Sequence, residues 1–272
     1  MSRSLAGKTI VMSGGSRGIG LAILVAAARE GANAVILAKT DQPDPRLPGT
    51  VHTAVAEIQK AGGDAVAVVG DVRFEDDVQR AVETAVSTFG GIDVCINNAS
   101  AVNLSGTEDL PLKRFDLMQQ INARGTFLLT RACVPYLRKS GEGQILTLSP
   151  PLNMSPYWLG LHTGYTLSKY GMSVLTMGFA AEFAGDGITA NCLWPRTTIL
   201  TAAVVNVIPH TKDNSRTPEI MGDAAVQILT GPTRTGECLI DEDVLAAAGT
   251  TDFSKYGEGD DFALDIFVDP AQ

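Results

Sequence analysis

The chain has 272 residues, of which 45% are hydrophobic, and it carries a formal net charge of -9. A chain of this length and composition can bury a large core as one α/β domain. The negative charge argues against a nucleic-acid partner or an anionic membrane surface, because both favour a basic protein face.

The N-terminus and the cysteines indicate where in the cell the protein is located. Residues 1–8 lead straight into an apolar segment and lack the pattern of a signal peptide. The apolar run at residues 19–28 is shorter than the ~20 residues that span a bilayer. We therefore expect a cytoplasmic protein without a membrane span or a bound metal. The four cysteines are expected to be free thiols: Cys95, Cys133, Cys192 and Cys238.

A glycine-rich loop follows the first apolar segment. The pattern predicts a strand, a helix and a second strand at residues 9–12, 21–30 and 34–38. Between the first strand and the helix stands Gly14-x-x-x-Gly18-x-Gly20, whose backbone N–H groups can face a phosphate at the helix N-terminus. Alone, these glycines would equally indicate a flexible turn. The flanking strand and helix favour phosphate binding.

The alternation of strands and helices continues along the chain. Further strands are predicted at residues 65–69, 92–96, 144–149 and 188–193, and a helix at residues 76–89. Such alternation predicts a parallel sheet with ligands outside the carboxyl ends of its strands. We predict a single Rossmann-like, doubly wound α/β domain over residues 1–272, with a mainly parallel seven-stranded sheet and helices on both faces. The residues at those strand ends are Asp71, Asn97, Asn98, Ser149 and Pro195.

Three segments stand outside this alternation. Residues 40–49 are rich in proline and precede a helix starting near Val51, and we expect them near the ribose of a bound nucleotide. Residues 196–218 are predicted to overhang the site as a lid. The tail after Tyr256 alternates acidic and apolar residues, and we expect it to pack at a subunit edge or to stay partly disordered.

Tyr165 and Lys169 form a candidate acid/base centre. They precede an apolar run at residues 172–179, and on a helix their spacing puts both side chains on one face. The cation can then lower the pKa of the phenol. Taken alone, the pair is more typical of a packed ring beside a solvated lysine stem. The remaining motifs decide between these interpretations.

Together the motifs resemble those of the short-chain dehydrogenase/reductases. They follow the order and approximate spacing of that family: Gly14-x-x-x-Gly18-x-Gly20, Asp71, Asn97-Asn98-Ala99, Asn122, Ser149 and Tyr165-x-x-x-Lys169. Residues 38–50, 149–153 and 193–195 are similar to hydroxysteroid dehydrogenase-like members of the family. The sterol-carrier-like domain of longer members is expected to be absent.

The resemblance implies a hydride transfer between a nicotinamide ring and a carbonyl or alcohol carbon. Tyr165 would give or take the hydroxyl proton, and Lys169 together with the positive charge of the oxidised nicotinamide would lower the pKa of Tyr165. Lys169 would also bond the nicotinamide ribose. Asn122 matches the asparagine that holds a water in the proton relay, the alternative being a kink or cap in its helix. The family also implies a homodimer or a homotetramer.

The hydroxyl that polarises the substrate departs from the family pattern. The family ends this strand with two serines, and the second position is Pro150 here. The donor is then Ser149, or less favourably Ser155, or it is missing. A missing donor would lower the rate by ~10²–10³ without abolishing the chemistry. An oxidoreductase is the leading hypothesis, and a nucleotide-binding module with weak or lost catalysis is the alternative.

Charges near the predicted ribose site favour NADP(H), with NAD(H) possible. Family members that use NAD carry an acidic residue at the end of the second strand, where this chain has Lys39. Arg17 lies in the glycine loop, and Asp41 nearby keeps NAD(H) possible; both cations could instead be solvated surface charges. The predicted cofactor-binding residues are Gly14, Ser16, Arg17, Gly18, Ile19, Gly20, Lys39, Asp71, Val72, Asn98, Ala99, Tyr165, Lys169 and Pro195.

The segment between Pro150 and His162 is predicted to form an apolar substrate wall. Its large side chains are Leu152, Met154, Tyr157, Trp158, Leu159 and Leu161. They suit a bulky apolar carbonyl or alcohol, and core or subunit packing is an equally good interpretation. His162 is assigned no chemistry. Arg196 replaces the usual glycine after Pro195 and is expected to point outward.

Overall fold

In a computed structural model, which describes residues 3–44, 48–259 and 261–270, the strands form one sheet. All its strand pairs are parallel. The order of the seven strands is β3-β2-β1-β4-β5-β6-β7, which confirms the predicted doubly wound sheet. The strands are β1 Thr9–Ser13, β2 Asn33–Ala38, β3 Ala65–Val69, β4 Val94–Asn97, β5 Gln144–Leu148, β6 Thr189–Trp194 and β7 Cys238–Ile240.

Helices connect the strands and cover both faces of the sheet. The α-helices are α1 Gly18–Arg29, α2 Val51–Ala61, α3 Glu75–Phe89, α4 Leu112–Met118, α5 Gly125–Ser140, α6 Pro156–Leu161, α7 Thr163–Glu182, α8 Ala202–Val207, α9 Glu219–Thr230 and α10 Asp241–Ala247. A π-helix, Gln119–Arg124, joins α4 to α5, and three 3-10 turns lie at Ala184–Asp186, Pro209–Asn214 and Ser254–Tyr256. Within the described ranges, no helix combines the length and the apolar character needed to cross a membrane.

Successive residues of the central strands face opposite apolar layers. Ile10 and Met12 of β1 pack with α1, α2, α9 and α10. Val11, between them, packs with α3, α5 and α7. Because side chains alternate along a strand, a sheet that is buried on both faces needs apolar residues at every position. This explains why the predicted strands read as continuous apolar runs.

The crevice that positions the site opens where the strand order reverses. β1 pairs with β2 on one side and with β4 on the other, so the connections from β1 and β4 leave in opposite directions. Ser13 and Asn97 are register partners at the carboxyl ends of these two strands. The glycine loop and the Asn-Asn-Ala segment therefore meet at this edge of the sheet.

The segment at residues 196–218 is more ordered than the predicted loop. It contains α8 and the 3-10 turn Pro209–Asn214, and Thr201 caps α8 by accepting a hydrogen bond from Val204 N at 3.3 Å. The segment does overhang the carboxyl ends of the strands, since Thr201 and Ala203 line both cavities described below. In the predicted loop at residues 40–49, Pro45, Arg46 and Leu47 lie outside the described residues.

The C-terminal segment, residues 261–270, packs on its own chain. Leu264 forms an antiparallel bridge with Thr197, and Asp265 N donates to Arg196 O at 2.9 Å. Phe267 is 2% exposed and anchors the segment in an apolar cluster. Partial disorder, one of the two expectations for the tail, is not what its described residues show. The physical reason is the aromatic anchor, whose burial offsets the cost of ordering the chain.

Candidate active site

The glycine loop is packed tightly against the segment after β4. A Cβ atom on Gly14 would lie 2.8 Å from Ala99 Cα, and one on Gly20 would lie 2.5 Å from Asn98 Nδ2. Gly14 also has a φ of 77°, which favours glycine. Asn98 Nδ2 donates to Gly14 O at 2.8 Å and thereby fixes the loop backbone. The glycine spacing is therefore a requirement of close packing.

The N-terminus of α1 is suited to an anion. Gly18, Ile19 and Gly20 form its first turn, and no acidic side chain lies in that turn. Arg17, which precedes the helix, makes no side-chain capping hydrogen bond. The unpaired N–H groups and the helix dipole favour a negatively charged group at this position. A phosphate of a dinucleotide has the required chemistry.

A groove of about 730 Å³ runs along the carboxyl ends of β1, β2 and β4. Its size and its uncapped helix end fit a dinucleotide cofactor. The structure brings eleven of the predicted cofactor-binding residues together along this groove: Gly14, Ser16, Arg17, Gly18, Ile19, Gly20, Lys39, Asp71, Val72, Asn98 and Ala99. Thr40, Leu200 and Asn206 also line it and were not predicted.

Basic side chains stand at the β2 end of the groove. Arg17 Nη2 donates to Gly49 O at 2.8 Å, and Lys39 Nζ lies 3.4 Å from Asp71 Oδ2. Arg73 donates two hydrogen bonds to Asp71 Oδ2. Burial alone would raise the pKa of Asp71, but the hydrogen bonds from Arg73 and the charge of Lys39 hold that pKa below its ordinary value. The carboxylate of Asp71 therefore pairs with Lys39 and Arg73 of its own chain.

Asp41 does not line the groove. Its Oδ1 lies 2.6 Å from His52 Nε2, and Gln42 donates to its Oδ2. Hydrogen bonds from His52 and Gln42 lower the pKa of this carboxyl group. Asp41 is not among the residues that line the groove, whereas Arg17 and Lys39 are. The carboxylate of Asp41, which made NAD(H) possible from the sequence, is thus bonded to His52 and Gln42.

A second cavity, of about 190 Å³, continues from the groove. It holds the three remaining predicted cofactor-binding residues, Tyr165, Lys169 and Pro195, together with Asp265. The two cavities share the lining residues Ile19, Asn98, Ser100, Thr201, Ala203 and Val207. The rest of the second cavity is apolar and includes Val102, Leu104, Leu148, Trp194, Ile199, Val204, Ile208, Met221 and Ile266.

Lys169 is held in a buried position on α7. It is 2% exposed, and its Nζ donates to Leu148 O at 2.5 Å and lies 4.8 Å from the centroid of the Trp194 ring. Burial lowers the pKa of Lys169 to about 7, although the charge of Asp265 opposes this shift. The lysine is a group whose charge changes near neutral pH.

Tyr165 lies one turn before Lys169 and is 7% exposed. Its ring stacks on Phe267, with centroids 6.1 Å apart and an interplanar angle of 20°. Burial, followed by the negative charge of Asp265, raises the pKa of Tyr165 well above its ordinary value. Lys169 is not a cause of this shift, and its expected effect together with the charge of an oxidised nicotinamide stays a prediction. The phenol keeps its proton at neutral pH.

Asn122 lies in the π-helix and is fully buried. Its Oδ1 accepts from Ala101 N at 2.8 Å, and its Nδ2 donates to Ala101 O and to Ser168 Oγ. These bonds fix the chain that follows β4 against α7. The side chain therefore has a structural task, and its predicted part in a proton relay stays a prediction.

Ser149 lies at the end of β5 but does not reach either cavity. It is 0% exposed, and its Oγ has no hydrogen-bond partner among the residues that the structure describes. The cavity beside Tyr165 is lined by Leu148, the residue before it, and not by Ser149. Ser155, the other candidate, caps α6 by accepting from Trp158 N at 3.5 Å. Neither predicted serine lines the cavity that contains Tyr165.

The predicted substrate wall does not line the cavity. Leu152, Trp158 and Leu159 pack against the cluster that contains Tyr165 and Phe267. The other three predicted wall residues, Met154, Tyr157 and Leu161, are 64%, 63% and 40% exposed. The apolar side chains of the cavity come instead from residues 196–218 and neighbouring elements. The core-packing interpretation therefore holds for half of the set.

Asp265 is the site residue that sequence reasoning missed. It belongs to the C-terminal segment and lines the cavity with Tyr165 and Lys169. The alternation of acidic and apolar residues in the tail was the available signal, because it marks a segment with one buried face. No local pattern indicated that this face meets the active site.

Arg196 does point away from the cavity. Its Nε lies 3.3 Å from Glu242 Oε2, and its Nη2 lies 2.5 Å from Asp243 Oδ1, both in the first turn of α10.

His162 lies between α6 and α7, and burial lowers the pKa of its ring. In the described ranges, no group of three or more His, Cys, Asp or Glu side chains is placed to hold a metal ion. The four cysteines are free thiols.

The chain belongs to the short-chain dehydrogenase family, whose pattern matches residues 8–211. Among individual proteins, it is similar to hydroxysteroid dehydrogenase-like protein 2 of Danio rerio, with 50% identity over 270 residues. These residues cover 97% of this chain and 65% of the relative, so the chain spans less than two-thirds of that protein's length.

Solved structures agree with this assignment. A short chain dehydrogenase of Mycobacterium thermoresistibile has a TM-score of 0.92 and 48% identity, covering 98% of this chain and 96% of that chain. L-sorbose reductase of Gluconobacter frateurii, complexed with NADPH and L-sorbose, has a TM-score of 0.76 and 26% identity, covering 88% and 97%. The comparisons support an oxidoreductase with a nicotinamide cofactor.

Proposed function

We propose that the protein is an NADP(H)-dependent oxidoreductase that interconverts a carbonyl group and a secondary alcohol on an apolar substrate. The observation that carries the proposal is the continuity of the dinucleotide groove with the cavity that contains Tyr165 and Lys169. Cofactor and substrate can thus meet beside a proton donor. Membership of the short-chain dehydrogenase family supports the same chemistry.

The residues of the cavity suit the direction of carbonyl reduction. A bound nicotinamide cofactor would supply the hydride. Tyr165, whose raised pKa keeps the phenol protonated, would give its proton to the substrate oxygen. The proton transfer leaves a phenolate on Tyr165. Lys169 Nζ, held by Leu148 O, would place a positive charge near it. Asn98 and the glycine loop would hold the phosphates and exclude water from the crevice.

NADP(H) is the proposed cofactor because the β2 end of the groove is cationic. Arg17 and Lys39 line it, and Asp41, which follows β2, is bonded to His52. A 2′-phosphate would find two positive groups and no free carboxylate at that end among the described residues. The L-sorbose reductase that resembles this chain is complexed with NADPH, which supports the choice.

The proposed substrate is apolar, and its size is constrained by the cavity. About 190 Å³ is less than the roughly 300 Å³ at which ligand pockets usually begin. A bulky substrate would therefore place only its reacting end there and extend toward α8. The cytoplasmic location and the homodimeric or homotetrameric state remain proposals from the sequence and the family.

A nucleotide-binding module with weak or lost catalysis is the second candidate. The burial of Ser149 favours it, because the hydroxyl that should polarise a carbonyl lies outside the cavity. A screen of aldehydes, ketones and secondary alcohols, followed by NADPH absorbance, separates the two. The oxidoreductase predicts turnover of at least one apolar carbonyl. Tight NADPH binding with no turnover on the whole panel would favour the binding module.

A further inference from the structure

Neither serine predicted to polarise a carbonyl lines the cavity beside Tyr165, and the two hydroxyl side chains that do line it, Ser100 and Thr201, lie in the part that it shares with the groove. Ser149 is fully buried outside it, and Pro150 has no hydroxyl. Lys169 Nζ already donates to Leu148 O. Among the described residues, the titratable groups that line the cavity are Tyr165, Lys169 and Asp265. Asp265 is the one of these three to which the proposed function gives no task.

The position of Asp265 is fixed on both sides along the chain. Before it, Leu264 forms the bridge with Thr197. After it, Ile266 O accepts from Trp194 Nε1 at 2.9 Å. Asp265 N itself donates to Arg196 O at 2.9 Å. These backbone contacts on both sides thus fix the position of Asp265 at the cavity.

An aromatic anchor adds to these backbone contacts. Phe267 contacts the rings of Tyr165, Tyr170, Trp158 and Trp194 at centroid distances between 5.0 and 6.2 Å. Its φ of 75° is unusual for a residue with a side chain, and it is held there by this packing. Backbone strain of this kind is retained where the surrounding structure determines the conformation. The segment is therefore a built part of the cavity wall.

We propose that Asp265 is a catalytic residue whose protonated carboxyl group donates a hydrogen bond to the substrate oxygen, in the role that Ser149 cannot reach. The assignment rests on the oxidoreductase function proposed above. It gives the substrate oxygen two donors, the phenol of Tyr165 and the carboxyl group of Asp265. A neutral carboxylic acid in an apolar site is an effective donor of this type.

The surroundings of Asp265 favour its protonated form. Burial raises the pKa of this carboxyl group to about 8, and the charge of Asp241 acts in the same direction. The N–H of Ile266 and the charge of Lys169 act against it. The titratable groups that face it are thus Tyr165 and Lys169 from α7 and Asp241 from α10. Among the described residues, no ion pair within 4.0 Å joins Asp265 to a cation.

The test compares Asp265→Asn and Asp265→Ala with Asp261→Asn, an exposed carboxylate on the same segment. With a carbonyl found in the screen, Asp265→Ala should lower kcat by ~10²–10³, while the near-isosteric Asp265→Asn, which keeps an N–H donor, should lose much less. The dissociation constant for NADPH, measured by fluorescence, should stay as in the parent. Asp261→Asn should retain parental kcat.

A spectroscopic readout is independent of turnover. In the infrared difference spectrum between the parent and Asp265→Asn, in which the buried carboxyl group of Asp241 cancels, a protonated-carboxyl band should be present at about pH 6 and should fade toward about pH 9. The reductive kcat should fall over the same range in the parent and less so in Asp265→Asn. An active parent with an unchanged Asp265→Ala variant, or with no such band, would overturn the assignment of Asp265 alone. A parent with no turnover on any carbonyl would overturn it together with the proposed function.

Discussion

At the scale of single residues, burial shifts the pKa values of the two central side chains in opposite directions, and both shifts favour the neutral form. It removes charge from Lys169, lowering its pKa to about 7, and it holds the proton on Tyr165. Asp265, when it is ionised, reinforces the second effect and opposes the first, because a negative charge favours a cation and disfavours a phenolate. A neutral phenol beside a readily charged lysine is an arrangement for donating a proton.

The cations at the β2 end of the groove give a prediction about cofactor choice. Replacing Arg17 and Lys39 together by alanine should raise KM for NADPH by roughly 10²- to 10⁴-fold, because each charge-assisted hydrogen bond is worth about 1.5–3 kcal/mol and two are lost. KM for NADH should change little. Lys60→Ala, on α2, is the matched control for loss of a surface cation. Equal increases for both cofactors would defeat the NADP(H) assignment.

The residues that sequence reasoning located are those whose geometry is local. Helical periodicity puts Tyr165 and Lys169 on one face, and a tight turn needs glycine at position 14. Ser149 and Asp265 depend on the path of the chain beyond their own element. The end of β5 turns the serine inward, and a bridge to residue 197 carries the aspartate into the cavity. Such contacts leave no periodic trace in the sequence.

At the scale of elements, the C-terminal segment connects the active site to both tryptophans of the chain. Trp158 Nε1 donates to Asp269 Oδ1 at 2.7 Å, and Trp194 Nε1 donates to Ile266 O. Both indole rings also contact Phe267. Intrinsic tryptophan fluorescence therefore reports on the docking of this segment.

We predict that Phe267→Ala releases the C-terminal segment from the cavity. Removing a buried phenylalanine costs about 3–5 kcal/mol, and here the loss falls on the ring that packs the segment against Tyr165, Tyr170 and both tryptophans. Tryptophan emission should shift to the red, and acrylamide should quench it more strongly. Phe74→Ala, a 57% exposed ring that contacts neither tryptophan, should leave the emission unchanged. Unaltered emission in Phe267→Ala would contradict this account of the segment.

Element boundaries were predicted best where apolar runs are bounded by glycine or asparagine. β3 spans the predicted residues, and β4 begins two residues later than expected because Ile92 is buried before the strand starts. The helix α8 was missed in a segment rich in threonine and asparagine, which have low helix propensity. It forms because Thr201 caps it and because it packs over the site.

At the scale of the whole molecule, alternation in the sequence predicts the sheet and its two covering layers. Alternation alone does not contain the strand order, which depends on long-range pairing such as that of Ser13 with Asn97. The family resemblance supplied the doubly wound class of the fold. Its motifs lie between Gly14 and Pro195, so it said nothing about the docking of residues 261–270. The active site is therefore completed by the part of the chain with the weakest sequence signal.

A pH dependence of stability follows from Asp241 at the start of α10. It is 0% exposed, and burial raises its pKa from an ordinary 3.8 to about 7. The folded state thus keeps a proton that the unfolded chain releases. The stability contributed by this group is complete below the ordinary pKa and is lost as pH rises through about 7.

The variant Asp241→Asn cannot ionise, and its amide oxygen can still accept from Arg196 N and Glu242 N. The difference between its free energy of unfolding in urea and that of the parent should therefore shift in favour of the variant by roughly 1–3 kcal/mol as the pH rises from about 4 to 7. Asp261→Asn serves as the control for the loss of one exposed carboxylate. A constant difference between Asp241→Asn and the parent across this range would show that the group is not protonated in the fold.

At the scale of the whole chain, we propose that Tyr165 donates the proton in a hydride-transfer reaction. The direct measurement is kcat for a carbonyl found in the screen, compared between the parent and Tyr165→Phe, with NADPH binding measured in parallel. The phenol oxygen makes no hydrogen bond that the described residues depend on for folding. We predict that Tyr165→Phe binds NADPH like the parent and loses kcat by at least ~10². Turnover that survives this replacement would contradict the mechanism.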